Sequence, residues 1–442
     1  MPRQRFQDIV DQMVGRIRSG TLVPGLRLPT VRAMARTQGM AVSTVARAYA
    51  QLQALGLIVG EAGRGTFVCD PDVPRGSGLS QAGAAGGVVD MSFNYPTLPD
   101  QAQMLRDGLR QLAAEGDLEA LLHSHPHGGR RHERAVVAQH LERRGLQVTA
   151  DQVLIANGAQ QALATACTSF LMPGDVIAAD ALTYFGFKSL AQSLRLEIAA
   201  VPGDGVAMDI DALERLCQRR RIRAVYTMPT MHNPLGQVMS AERRQRLAAI
   251  ARHRNLLLIE DAAFAFLAEP APAPLFTHAP ERCIYVSGLS KSVAAGLRFG
   301  MIAAAPELVP AMRDTIRNTT WSSPALSVAL GCRWIETGEV DDLEIRKRLD
   351  AADRQKLVQR VLERLDYAGH PTSYYTWLRL HDGLRADQVA AELAGQNILV
   401  STAQAYATTK VVPHALRLAL GSVDLPTLGA ALGKIRRAAG AW

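Results

Sequence analysis

From Val88 onward, five short apolar runs recur between amphipathic stretches: Val153-Leu154-Ile155, Val176-Ile177-Ala178, Ala224-Val225-Tyr226, Leu256-Leu257-Leu258-Ile259 and Ile284-Tyr285-Val286. Runs this short, apolar on consecutive rather than alternate residues, are the mark of strands buried on both faces. Strands of that kind alternating with helices predict a doubly wound α/β domain. Beyond about Trp321 the pattern turns helical and then mixed, which predicts a smaller α+β lobe. The chain has 442 residues, more than one ordinary core accommodates. The expected division is a head over 1–70, a linker over 71–88 and a second domain over 89–442. The large lobe of that domain is expected at about 89–320 and the small lobe at about 321–442.

The head reads as three helices and a hairpin. Phe6, Ile9, Val10, Met13, Val14 and Ile17 recur at helical spacing, and Gly20 follows the stop. Leu28-Pro29-Thr30 opens a second helix that Thr30 is placed to cap. Gly39 turns the chain into a third, holding Val45, Ala48, Tyr49, Leu52 and Leu55 and ended by Gly56. Leu57-Ile58-Val59 and Thr66-Phe67-Val68 make two strands around the turn 61–65. This order is that of a winged helix-turn-helix. Residues 70–87 are rich in Gly, Ala, Ser and Pro and read as the linker.

Charge singles out the same segment. Residues 1–70 carry nine arginines against four acids, +5 of the chain's net +8. A basic head on a near-neutral body suits contact with a phosphate backbone, although a solvated basic face would look the same. Five scattered cysteines without CxxC spacing argue against both a disulfide framework and a metal site. The N-terminus has no apolar leader and no stretch reaches membrane-spanning length, so a cytoplasmic protein with no membrane partner is expected.

In the second domain one of six lysines stands apart. Lys291 follows a predicted strand within Ser287-Gly288-Leu289-Ser290-Lys291, and Arg298 follows in Gly296-Leu297-Arg298-Phe299-Gly300. A buried lysine can form a Schiff base with an aldehyde, and a nearby hydroxyl and guanidinium suit a phosphate. Asp261 ends the run Leu256–Ile259, at the carboxyl end of a strand, where α/β ligand sites form. Asn157-Gly158-Ala159-Gln160 joins a strand to a helix, where backbone amides can meet a phosphate. Asn233-Pro234-Leu235-Gly236 is a turn after another strand. Singly, each has an ordinary structural use, such as a helix cap or an exposed lysine. Their common placement at strand ends points to one ligand site.

Two family resemblances sharpen this reading. Pro24-Gly25-Leu26-Arg27-Leu28-Pro29-Thr30-Val31-Arg32, Thr44-Val45-Ala46-Arg47-Ala48-Tyr49 and Gly63-Arg64-Gly65-Thr66-Phe67-Val68 together resemble the GntR-type DNA-binding domain. That resemblance implies double-stranded operator DNA as partner, with Arg27, Arg32, Ser43, Thr44, Arg47, Arg64 and Gly65 as contact residues. Arg47 would read bases from the recognition helix, and Arg32 and Arg64 would meet phosphates. Ala41-Val42 departs from the Ser and Arg often found there.

Residues 89–442 resemble the fold-type I aminotransferases, and a GntR head joined to such a domain resembles the MocR-type regulators. The resemblance implies pyridoxal 5'-phosphate as cofactor, held by Lys291 as an internal aldimine. Asp261 would pair with the pyridine nitrogen, Asn233 would bond the ring oxygen and Tyr184 would stack on the ring. Gly158, Ala159, Gln160, Ser290 and Arg298 would cradle the phosphate, and Arg417 would grip an amino acid's carboxylate. Three positions depart from the pattern: Phe264 where a tyrosine often bonds the ring oxygen, Gly288 where Ser or Thr is usual, and Ser124 where a tyrosine commonly reaches the partner's phosphate. The resulting expectation is a homodimeric transcriptional regulator. Its aminotransferase-like domain would sense the cofactor, an amine or an amino acid rather than turn it over. A working aminotransferase with an accessory DNA-binding head, and a shell that no longer holds cofactor, stay open beside it.

Overall fold

A computed structural model describes residues 2–23, 25–55, 57–61, 65–69, 88–203 and 207–440. In the head, α1 (Pro2–Arg18), α2 (Val31–Thr37) and α3 (Val42–Ala54) enclose a core of Ile9, Val10, Met13, Ile17, Ala35, Val45, Ala48 and Leu52. These buried side chains keep the spacing that predicted the first and third helices, except that Leu55 lies just past the end of α3 and is exposed. Thr30 caps α2 by accepting a hydrogen bond from the Ala33 amide at 3.2 Å. Tyr49, on α3, donates its hydroxyl to the Pro29 carbonyl at 2.8 Å and so ties α3 to the start of α2.

The head's sheet has three strands rather than two. Arg27–Leu28 forms β1 and pairs antiparallel with β3 (Gly65–Val68), which also pairs with β2 (Ile58–Glu61). Leu28 therefore belongs to a strand and not to the start of the second helix. Two residues are too few to show alternation, so composition alone carries no strand signal there. The tip of the wing, including Arg64, and the linker over 70–87 lie outside the described residues.

The chain re-enters at β4 (Val89–Met91), and here the expected boundary shifts. β4 lies in the small lobe's sheet, parallel to β14 (Ile398–Thr402), although residue 89 was expected to open the large lobe. The large sheet holds β5 (Val153–Asn157), β6 (Val176–Asp180), β7 (Glu197–Val201), β8 (Ile222–Thr227), β9 (Leu257–Asp261), β10 (Cys283–Gly288) and β11 (Phe299–Ala303). Their order is β5-β11-β10-β9-β8-β6-β7, and β11 alone runs antiparallel to both its neighbours. Successive residues feed opposite cores, with Val225 and Leu258 on one face and Tyr226 and Ile259 on the other. Both faces are covered by helices, which is why these strands read as unbroken apolar runs.

The small lobe's sheet has the order β12-β13-β15-β14-β4, with β12 at Tyr367–Ala368, β13 at Tyr375–Arg379 and β15 at Ala415–Ala419. Helices 386–395 and 425–438 cover it, and the long helix Glu339–Leu362 joins it to the large lobe. No helix among the described residues is long and apolar enough to cross a membrane.

The Tyr49 bond has a measurable worth. Tyr49→Phe removes one hydrogen bond to a main-chain carbonyl and should cost the head about 0.5–1.5 kcal/mol. A lower midpoint in its denaturant unfolding is the expected result.

Candidate functional site

The carboxyl ends of β8, β9 and β10 and the turn after β5 open onto one cleft of about 740 Å³. Its lining brings together Ala159, Gln160, Tyr184, Asn233, Asp261, Phe264, Ser290, Lys291, Arg298 and Arg417. Gly158 lies directly behind it. Its φ is +80°, and a Cβ there would stand 2.5 Å from Arg298 Nη2, so only glycine lets the arginine lie across the helix start. Arg298 itself has φ +54° and donates from Nη2 to the Asn157 carbonyl at 2.9 Å. Asn157 caps helix 158–170 without any side-chain bond.

Asp261 is buried at the end of β9. It accepts hydrogen bonds from Tyr226 Oη at 2.8 Å and from the Ala263 amide at 3.0 Å. Burial pushes its carboxyl above the ordinary range, while these two donors and the Lys291 charge pull it back. Lys291 Nζ donates to the Asn94 carbonyl at 2.9 Å. Burial brings its amine down to about 8, helped by the nearby cations Arg417 and Arg298 and opposed by Asp261. Ser290 Oγ and Asn233 Oδ1 are buried without a partner among the described residues, as is Arg417 Nε. Tyr184 lies against Gly186, where a Cβ would fall 2.4 Å from its ring. Phe264 packs edge-on to Tyr375 with ring centroids 5.2 Å apart. Arg417, on β15, is buried, donates to the Ser92 carbonyl at 3.2 Å and rests 4.8 Å from the Tyr375 ring centre.

Unspent buried polar atoms around a lysine of depressed basicity fit a polar, phosphorylated aldehyde better than an apolar ligand. Two departures from the aminotransferase pattern acquire physical content. A Cβ on Gly288 would sit 2.6 Å from the Phe299 carbonyl oxygen of the adjacent antiparallel strand, so a serine or threonine has no room. Ser124 is exposed on the segment beside Leu122.

Sequence reasoning missed four neighbours. Tyr226 holds Asp261, and its one signal is a tyrosine closing the apolar run Ala224-Val225-Tyr226. Phe93, Asn94 and Tyr95 line the cleft from the strap that follows β4, which has no periodicity to betray it.

In the head, Arg27, Arg32, Ser43 and Arg47 are exposed and Thr44 is half-buried. Arg47 is not a free arm, because its guanidinium lies 5.0 Å over the Phe6 ring of α1. Gly65 has φ +121° and stands under Arg27, with a Cβ position 2.7 Å from Arg27 Nε. Arg64 is outside the described residues.

Both domains match known protein families. The family "Aminotransferase class I and II" matches residues 87–435, and "Bacterial regulatory proteins, gntR family" matches residues 6–68. The HTH-type transcriptional regulator YdeF of Bacillus subtilis is 30% identical over 397 residues, covering 88% of this chain and 85% of that protein. The 2-aminoadipate transaminase of Thermus thermophilus is 26% identical over 66% of this chain and 76% of its own length. An archaeal alanine:glyoxylate aminotransferase superposes with a TM-score of 0.75 at 22% identity, over 80% of this chain and 91% of that one. The second domain is thus a fold-type I aminotransferase-like domain, of a family that generically uses pyridoxal phosphate. The chain as a whole belongs to the MocR-type regulators, in which a GntR DNA-binding head is fused to such a domain, and it is a transcriptional regulator.

Two outcomes follow from the site's geometry. Only an unprotonated amine attacks an aldehyde, so covalent capture of pyridoxal phosphate should quicken as pH rises. With the Lys291 amine at about 8, the rate should reach half its maximum near that pH and then level off. An ordinary lysine would keep gaining past pH 10, and stopped-flow absorbance separates the two profiles. Gly288→Ser restores the usual hydroxyl yet overpacks the strand pair, at a cost of about 1–3 kcal/mol. A lower thermal midpoint and weaker cofactor retention are expected.

Proposed function

We propose that this regulator holds pyridoxal phosphate on Lys291 and converts occupancy of that cleft into altered binding of operator DNA. The observation that carries the reading is the convergence of Lys291, Asp261, Asn233, Ser290, Arg298 and Arg417 on one cleft in a chain that also bears a DNA-binding head. Bound there, the cofactor supplies an aldehyde that condenses with amines and a pyridinium ring that withdraws electrons. Lys291 provides the amine. Asp261, steadied by Tyr226, would pair with the ring nitrogen and keep a proton on it. Asn233 would bond the ring oxygen, and Tyr184 would stack on the ring. Gly158, Ala159, Gln160, Ser290 and Arg298 would form the phosphate cradle. Phe264 would offer contact but no hydroxyl to the ring oxygen. Arg417 receives the carboxylate of an amino-acid effector.

Arg27, Arg32, Ser43, Thr44, Arg47, Arg64 and Gly65 form the DNA face, and Arg47 reaches bases from its support on Phe6. A homodimer suits a two-half-site operator. The apolar side chains of Leu118, Leu122, Trp321 and Leu326 support it, since all four are exposed and Leu122 is 85% accessible. His127 Nδ1 lies 2.7 Å from the Trp321 carbonyl and brings the two segments that carry them side by side.

A sensing role requires coupling between the domains. Saturating pyridoxal phosphate should change the operator affinity of the full-length protein by about 5–150-fold, the range of typical coupling free energies. Binding by residues 1–75 alone should not change. Lys291→Ala should abolish both the effect and the borohydride-reducible label, while circular dichroism stays unaltered. Equal operator affinity with and without cofactor, together with steady turnover of amino-acid donors, would favour the enzyme reading.

A further inference from the structure

The head's small sheet has two faces with different surroundings. Leu28, Ile58 and Val68, one from each strand, are buried in the head's core. Side chains alternate along a strand, so the adjoining row of Arg27, Phe67 and Val59 points the other way. These three stand in register across the sheet, Arg27 opposite Phe67 and Phe67 opposite Val59. Gly65, two residues before Phe67, shares this outer face and lies under Arg27. A ring turned away from its own domain's core would face water, yet Phe67 is half-buried.

Its cover comes from the small lobe. The Arg385 guanidinium lies 3.9 Å over the Phe67 ring. Asp387 aims it, accepting from Arg385 Nε at 3.1 Å and from Nη2 at 2.9 Å, and the Arg385 side chain is only 5% exposed. Gln388, on the first turn of helix 386–395, reaches the head's Gly25 carbonyl with Nε2 at 3.5 Å. Gly25 has φ +81°, and a Cβ there would collide with Gln388 Nε2, so this approach uses the space a glycine leaves.

We infer that the outer face of the wing is a docking surface with two mutually exclusive partners, the small lobe of the same chain and operator DNA. This rests on the reading of Arg27 and Gly65 as DNA contacts, since both stand on the face that Arg385 covers. A duplex seated there needs the space taken by the start of helix 386–395. Asp387, about a third exposed, also sets a carboxylate beside a face that must receive phosphates, and like charges there oppose DNA. The docked wing is therefore withheld from DNA, and releasing Phe67 from Arg385 makes it available. Helix 386–395 packs on β14 and β15, and β15 carries Arg417 into the cleft, so the surface that holds the wing belongs to the same lobe that closes on the cleft.

The test measures operator affinity of the full-length chain at one salt concentration, for the parent, Arg385→Ala, Phe67→Leu and the two combined. Each single variant should bind about 5–30-fold more tightly than the parent, the span of a largely desolvated cation–ring contact. The double variant should bind no more tightly than the better single one, because both remove the same contact. Arg385→Lys keeps a cation over the ring and should fall between. Loss of a positive charge ordinarily weakens DNA binding, so a gain singles out release of the wing. Saturating operator should also quicken amide hydrogen exchange over 386–389 in the parent, to the level of Arg385→Ala. Unchanged or weaker operator binding by folded Arg385→Ala and Phe67→Leu would overturn the inference, as would unchanged exchange over 386–389 in the operator complex. Mixed dimers of Phe67→Leu chains with Arg385→Ala chains contain no intact in-chain contact and should bind as tightly as the single variants; affinity midway to the parent would place the contact between chains and overturn the in-chain assignment. Adding Arg27→Ala to Arg385→Ala should cancel most of the gain. A gain kept in full would remove Arg27 from the DNA face, defeating that reading and the exclusion built on it.

Discussion

A single buried amine joins the parts of the second domain that must act together. Lys347, fully buried on the long helix Glu339–Leu362, donates to the carbonyls of Pro96, Lys291 and Val293 at 2.8, 3.2 and 2.9 Å. One ammonium therefore fastens the helix between the lobes, the end of the strap and the turn that carries Lys291. Gln101 adds a second bond to the Val293 carbonyl at 2.7 Å. Burial brings Lys347 down to about 7, with the Asp350 and Glu344 carboxylates opposing that fall and the Lys291 charge adding to it. The cleft keeps its shape because this cluster gives the Lys291 turn little freedom to shift.

How much of this was legible in the sequence depends on the physical origin of each part. The five strands read from apolar runs lie in the large sheet, because burial on both faces leaves an unmistakable composition. β7 and β11 were not read: β7 is an edge strand with mixed exposure, and β11 starts within the Gly-rich stretch that also suits a phosphate loop. β1 and β4 are too short to carry a period. Side chains at strand ends could be placed by chemistry alone, as Asp261 and Lys291 were. Their supports, Tyr226 and Lys347, could not be found this way, since each is defined by what folding brings to it from a distant part of the chain.

The departures from the aminotransferase pattern have unlike causes. Gly288 follows from steric exclusion by the neighbouring strand, so it says little about relaxed demands on the cofactor. Phe264 keeps the ring contact with Tyr375 and drops only the hydroxyl, and no backbone constraint of that kind accounts for the change. Treating the two as equal signs of lost catalysis would be mistaken. Loss of one polar contact lowers cofactor affinity modestly, whereas the Gly288 backbone is a condition for the sheet to close.

The position of β4 gives the linker a mechanical meaning. A tether anchored in the large sheet would stay still while the smaller lobe rotated, leaving direct contacts such as Arg385 over the Phe67 ring at 3.9 Å to carry the movement to the head. Here residues 89–91 pair in register with Ile398, Leu399 and Val400, and the Val89 amide donates to the Asn397 carbonyl at 2.8 Å, so this segment belongs to the smaller lobe. A rotation of the smaller lobe would move residue 89 with it, so the three-residue strand would turn an angular change into a displacement of the chain there.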